Sequence, residues 1–156
     1  RCALPLEAMG KKADLRPPPD GAPKAQFAAL PWRRRADGVV EVLLITSRET
    51  RRWVIPKGWP MKGLDPARAA EQEAFEEAGV KGRIGEEDLG AYHYDKRLRS
   101  GRLRPVRVTV FPLQVEAEMD DWPEKAERER RWLPAPEAAP LVDEPELTRL
   151  IGDFSP

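Results

Sequence analysis

Apolar residues in this chain fall into short runs of different kinds, and the differences lay out the elements. Val39 to Thr46 (VVEVLLIT) is nearly continuous and rich in β-branched residues, the mark of a buried strand. Gln26 to Trp32 (QFAALPW) is expected to be its partner, with residues 33–38 (RRRADG) as the turn between them. Pro31 has no N–H to give to a ladder, so that strand is expected to end or bulge there. Trp53-Val54-Ile55 is a short apolar run that stops at Pro56-Lys57-Gly58. Ala91 to Tyr94 alternates weakly and Val106 to Val115 (VRVTVFPLQV) strongly, with Pro112 arguing for an edge or a bulge. A basic hairpin, residues 96–104 (KRLRSGRLR), joins them around Ser100-Gly101. From Pro123 onward the pattern turns helical, as PEKAERER, then PEAAPLV, then EPELTRLIGDF.

Between the two groups of strands the period changes from two to that of a helix, about 66–78. Asp65 can cap its start, Pro66 fits the first helical position, and Gly79 suits the left-handed residue that closes it. Ala67, Ala70, Ala74 and Ala78 form a small apolar stripe with Phe75 at its margin, a face for close packing. Glu73, Glu76 and Glu77 are expected on the face away from that stripe, side by side, with Ala69 leaving room above them. Repulsion between Glu73 and Glu77 costs ~0.2–0.5 kcal/mol, and these acids sit at the negative end of the helix dipole. A hard divalent cation with oxygen ligands relieves both effects. A solvated acidic face is the other reading, and the helix by itself does not separate the two.

Strands before and after one central helix, with helices at the end, predict an α/β sandwich around a mixed sheet. At 156 residues the chain is expected to hold one domain, 24–154. Residues 1–23, with Arg16-Pro17-Pro18-Pro19, are expected to form an extended arm. Lys+Arg and Asp+Glu both number 27, so no global field recruits nucleic acid or an anionic membrane, and any phosphate-binding patch must be local. No apolar run approaches the length of a membrane span. Cys2 is the only cysteine, which leaves no internal disulfide, and without a signal peptide the cytoplasm is the expected compartment. His93, the lone histidine, lacks a His or Cys partner for zinc and is expected on a strand surface.

Residues 58–80 resemble the Nudix box, G-x5-E-x7-R-E-U-x-E-E-x-G-U with U a bulky aliphatic. Gly58 opens the pattern and Glu73, Glu76, Glu77, Gly79 and Val80 close it in register. Leu64 stands where the pattern has Glu, Gln72 where it has Arg, and the small Ala74 at a U position. The Pro56-Lys57-Gly58 approach after Trp53 is similar to that of diadenosine polyphosphate hydrolases. Asp121-Trp122 and Arg131-Trp132 resemble segments of diphosphoinositol polyphosphate phosphohydrolases.

The resemblance implies an α-β-α sandwich whose loop and helix carry catalysis: metal-dependent hydrolysis of a phosphoanhydride in a polyphosphate-rich small molecule. It implies Mg2+ or Mn2+, with Glu73 and Glu77 as principal ligands and Glu76 as a third ligand or the base. Lys57 and Gly58 would offer a backbone carbonyl. Glu116, Glu118, Asp120 and Asp121 are acids that would have to reach back if the base lies outside the box. Lys24, Ser47, Arg48 and Arg52 match phosphate-binding positions, while Gln26 replaces a further basic residue of the inositol-pyrophosphate relatives. Leu64 and Gln72 depart together, so neither leaves a stranded charge, and Leu64 is expected to pack into the loop. Trp53 and Trp132 are expected to pack, and Trp59, Tyr92 and Tyr94 either pack or stack on a base. The partner is a small-molecule substrate rather than nucleic acid or membrane, and the chain is a monomer or homodimer. Hydrolysis of nucleoside triphosphates or nucleotide sugars, and a catalytically silent nucleotide-binding module, remain as alternatives.

Overall fold

The computed structural model describes residues 22–156, so all but the end of the expected N-terminal arm lies outside the described residues. Two long strands form the spine: β1 (Lys24–Arg34) runs parallel to β7 (Leu103–Glu118), with Lys24 opposite Val106 and Trp32 opposite Gln114. Around them an 8-stranded mixed sheet is assembled. β2 (Val40–Thr46) returns antiparallel along the far end of β1 through a turn at residues 35–39; Arg33 and Arg34, expected in that turn, are paired with Glu41 and Val40. β2 then takes β3 (Trp53–Val54) and β8 (Arg130–Pro134) as antiparallel neighbours. β4 (Lys57–Gly58) pairs with the near end of β1. On the other edge of β7, β6 (Gly90–Arg97) and β5 (Val80–Ile84) occupy successive lengths.

Both faces of this sheet are covered, which is why its central strands read as continuous apolar runs. On one face Ala28, Leu30, Val42, Leu44, Val106, Val108 and Val110 pack under α2 (Ala135–Ala138) and α3 (Pro145–Gly152), which contributes Leu147 and Ile151. On the other, Ala29, Leu43, Ile45, Phe111 and Leu113 pack under α1 (Pro66–Glu73) and the turn that extends it. The result is the expected helix–sheet–helix sandwich.

Both prolines sit mid-strand, where a strand changes neighbours. β1 passes from β4 to β2 around Pro31 and continues to Arg34; it does not end there. β7 passes from β6 to β5 around Pro112, whose carbonyl accepts from Gly85 N–H at 2.8 Å. A missing N–H costs little at such a handover. PEKAERER, expected to be helical, is a single tight turn at Lys125–Glu127 followed directly by β8. The free edge of β2 needed a partner, and that tertiary demand overrode helix propensity. β5 starts immediately after the helix cap; Gly82 is required there because a Cβ would lie 1.9 Å from Gln114 O.

Candidate active site

α1 begins as its sequence dictates. Asp65 accepts from Arg68 N–H at 2.8 Å, and Pro66 occupies the first turn. Past Glu73 the helix widens into a π-turn, Ala74–Ala78, which Gly79 ends at φ 67°. Widened turns of this kind re-aim side chains and recur at functional sites. The stripe of Ala67, Ala70, Ala74 and Ala78 is buried as expected, but so is Ala69, and Glu73 and Glu77 do not face solvent. They are only 9% and 8% exposed, beneath the 57–59 loop. Glu76 turns aside, its Oε2 accepting from Gln72 Nε2 at 2.6 Å. Leu64 packs against the core under α1.

The loop is fitted to these acids. Lys57 N–H points at Glu77 Oε1 at 3.4 Å, and a Cβ on Gly58 would lie 1.9 Å from Glu73 Oε2. Burial, then the charge of Glu77, pushes the Glu73 carboxyl up to about 9. Burial raises Glu77 as well, against the pull of Arg128. Lys57 Nζ is lowered by burial, which Glu77 opposes, and lies 5.2 Å from the Tyr94 ring centroid.

These residues line a cleft of about 290 Å³ with Gln26, Arg48, Trp59, Tyr94, Lys96, Glu124 and Arg128. Arg128 is half-buried and bridges three elements. Its Nε donates to Glu124 Oε1 at 2.8 Å, one Nη to Thr46 O at 3.0 Å, and the other lies 3.6 Å from Glu77 Oε1. Tyr94 donates its hydroxyl to Gln26 Oε1 at 2.8 Å, so Gln26 serves the cleft wall in place of a cation.

The other sequence-derived candidates divide. Arg48 lines the cleft, exposed and 3.3 Å from Glu127. Lys24 stands beside it, 5.8 Å from the Trp59 ring centroid. Ser47 and Arg52 do not line the cleft. Ser47 Oγ is 2.6 Å from Thr50 Oγ1 and accepts from Arg52 N–H, organising its own turn. Arg52 pairs with Glu144 at 2.9 Å. Glu116 faces Arg83 at 3.7 Å, and Glu118 accepts from Arg33 and Trp132, so neither lines the cleft; Asp120 and Asp121 are outside it too. Tyr92 is core and Trp59 is at the cleft mouth, while the exposed His93 contacts Glu146. Glu124 and Arg128, missed from sequence, lie in the PEKAERER stretch expected to be helical. Their i, i+4 spacing was visible, but nothing in it said that the pair folds back over α1.

Among the described residues no group of three or more His, Cys, Asp or Glu side chains is placed to hold a metal ion. The oxygen-only pair of Glu73 and Glu77 nevertheless fits Mg2+ or Mn2+. Magnesium keeps several of its waters and needs few carboxylates, and a cation removes the penalty of burying two acids together. That penalty has a sign. The folded value of Glu73 lies above its ordinary 4.5, so stability from the protonated group is full below about 4.5 and is lost as pH rises toward about 9. The thermal midpoint in EDTA is expected to fall across that window, less so in Glu73→Gln, and Mg2+ should recover more of it at higher pH. Scanning fluorimetry with and without Mg2+ checks this; parallel wild-type and Glu73→Gln curves would show that Glu73 ionises freely.

Residues 24–154 match the NUDIX domain. The chain is 36% identical over 118 residues to Nudix hydrolase 12, mitochondrial, of Arabidopsis thaliana, covering 74% of this chain but 58% of that protein. It is 34% identical over 122 residues to diphosphoinositol polyphosphate phosphohydrolase 3-beta of Bos taurus, covering 76% and 69%. The crystal structure of C. elegans Ap4A hydrolase superposes with a TM-score of 0.58 at 22% identity, over 84% of this chain and 95% of that one, a likeness of fold. Among the described residues, no helix is long and apolar enough to cross a membrane.

Proposed function

The chain belongs to the Nudix family, and on that premise we propose that it hydrolyses a phosphoanhydride bond in a polyphosphate-rich small molecule. The observation that carries this reading is the buried Glu73–Glu77 pair beneath Gly58, facing a cleft with Arg48, Lys57, Lys96 and Arg128 on its walls. Glu73 and Glu77 would hold Mg2+ or Mn2+, with Glu76 joining through water and the Lys57-Gly58 backbone offering a carbonyl. The bound metal would neutralise phosphate charge and activate water. Arg128 keeps Glu77 oriented while its charge faces the cleft. Glu124 is the acid outside the box that lines the cleft, and it replaces Glu116 and Glu118 as the distal candidate for holding the attacking water's proton.

A pyrophosphate and a metal are all that the box itself recognises, so preference must come from the cations around it. Lys96 pairs across the hairpin with Arg104, and cross-strand partners share a face, so positive charge continues from the cleft along β6 and β7. Lys24 and Arg48 stand on other sides. The names of the bovine and nematode relatives, a diphosphoinositol polyphosphate phosphohydrolase and an Ap4A hydrolase, support substrates with several phosphates.

Phosphate release from a panel with and without Mg2+ tests the proposal. Catalytic efficiency is expected to rise from ADP-ribose through ATP to diadenosine tetra-, penta- or hexaphosphate. Arg48→Ala and Lys96→Ala should cost the long substrates most, about tenfold each for a charge-assisted contact of ~1–3 kcal/mol. Preference for ADP-ribose, or indifference to both substitutions, would reduce these cations to solvated surface charge. No metal-dependent release from any substrate would favour a silent nucleotide-binding module.

A further inference from the structure

A helix leaves its last carbonyls without intrahelical partners, and here one other segment of the chain takes them. Glu76 O accepts from Glu124 N–H at 3.0 Å, and Glu77 O accepts from Trp122 Nε1–H at 3.2 Å. Ala78 O accepts from Arg130 Nη1 at 2.9 Å; Gly79 O accepts from the same nitrogen at 3.2 Å and from Met119 N–H at 2.7 Å. Arg130 Nη2 also donates to Met119 O at 3.0 Å, closing the segment on itself. Its guanidinium lies 4.0 Å from the Trp122 ring centroid. Trp122 packs so tightly on Gly79 that a Cβ there would come within 2.4 Å of the ring.

The arrangement has a consequence for the cleft. The carbonyls of the π-turn fix the backbone that aims Glu77, and residues 119–130 also bring Glu124 and Arg128 to the opposite wall. A positive charge at this helix end further offsets the acids crowded there. We infer that Arg130 and Trp122 are positioning residues that clamp the two walls of the cleft in register, so that Glu77 and the Glu124–Arg128 pair act as one unit. This rests on the metal-dependent reading above. Lysine cannot replace Arg130, because one planar fork serves the carbonyls of Ala78, Gly79 and Met119 at once.

The test uses the full chain with Arg130→Lys, Arg130→Gln and Trp122→Phe, and Leu147→Ala, buried on the opposite face of the sheet, as a control for lost stability alone. Each is measured for thermal midpoint, for Mn2+ affinity by electron paramagnetic resonance of the free ion, and for kcat and KM on diadenosine tetraphosphate. Both Arg130 variants are expected to weaken Mn2+ binding about 10–100-fold and to lower kcat by a similar factor with KM little changed, the scale of supporting-shell losses. Trp122→Phe keeps a ring for Arg130 but loses the bond to Glu77 O, and is expected to lose less in the same direction. Leu147→Ala should lower the thermal midpoint and leave Mn2+ affinity alone. An Arg130→Lys protein that matches wild type, or Arg130 variants no worse for Mn2+ than Leu147→Ala, overturns the inference. If the Arg130 variants do not fold, unchanged Mn2+ affinity in Trp122→Phe overturns it instead. Mn2+ binding is read without turnover, so a wild-type chain that hydrolyses nothing defeats the proposed activity while these affinities still decide the clamp.

Discussion

Glu77→Gln is expected to give a folded protein that has lost on the order of 10²–10³ of its hydrolytic rate, the equivalent of a few kcal/mol of transition-state stabilisation. The fold should survive because the change is isosteric and replaces a carboxylate whose burial disfavours its charge. Glu77 meets Glu73, the Lys57 N–H and the Arg128 guanidinium within one small volume. An amide can still accept from Lys57 N–H, but it binds a hard cation far less well than a carboxylate. In EDTA at neutral pH the variant should therefore melt no lower than wild type, while its gain in midpoint on adding Mg2+ should shrink. Steady-state rates at saturating Mg2+, set beside melts in EDTA and Mg2+, check both halves. Full activity in the folded variant would remove Glu77 from the site.

Gly58→Ala should be nearly as damaging by a purely steric route. The new methyl carbon would lie 1.9 Å from Glu73 Oε2 and 2.3 Å from its carboxyl carbon. What stands in its way is the far end of a flexible side chain, so the protein can fold by swinging Glu73 aside, at modest cost in stability. The site cannot absorb that movement, since a displacement of about 1 Å in a catalytic group can cost roughly 10²-fold. A loss of that size is expected, with a thermal midpoint within a few degrees of wild type. In a Glu73→Gln background, already deprived of the ligand, the same methyl should cost little more, because effects through one shared group are not additive. A full second loss in the double variant would show that Gly58 acts through something other than Glu73.

The residues that announced the site in the sequence did so by local rules. Asp65, Pro66 and Gly79 carry their meaning in their own backbone chemistry, and the fixed spacing from Gly58 to Val80 needed no tertiary information. The continuous runs in β1 and β2 likewise betray burial on both faces. What stayed hidden depends on partners far along the chain. The faces of the helix were drawn for 3.6 residues per turn, whereas the π-turn and the 57–59 loop place Glu73 and Glu77 inside. Arg48 and Arg52 look alike in SRETRR, yet one lines the cleft and the other is held by Glu144. PEKAERER has helical composition, but the open edge of β2 drew its end into a strand and with it carried Glu124 and Arg128 into the cleft.

The short β4 strand has a consequence for binding. Lys57 and Gly58 pair with Ala28 and Phe27 of the central strand, and Pro56 O accepts from Ala29 N–H at 3.0 Å. What reads in sequence as a loop is thus hydrogen-bonded into the middle of the sheet. Ordering a free backbone segment costs about 1–2 kcal/mol per residue, and a ligand that had to arrange this one itself would forfeit that amount in affinity. Here folding has already met the cost. The floor of the cleft is preorganised, and the interaction energy of a bound phosphate goes into holding the phosphate rather than into ordering the loop that receives it.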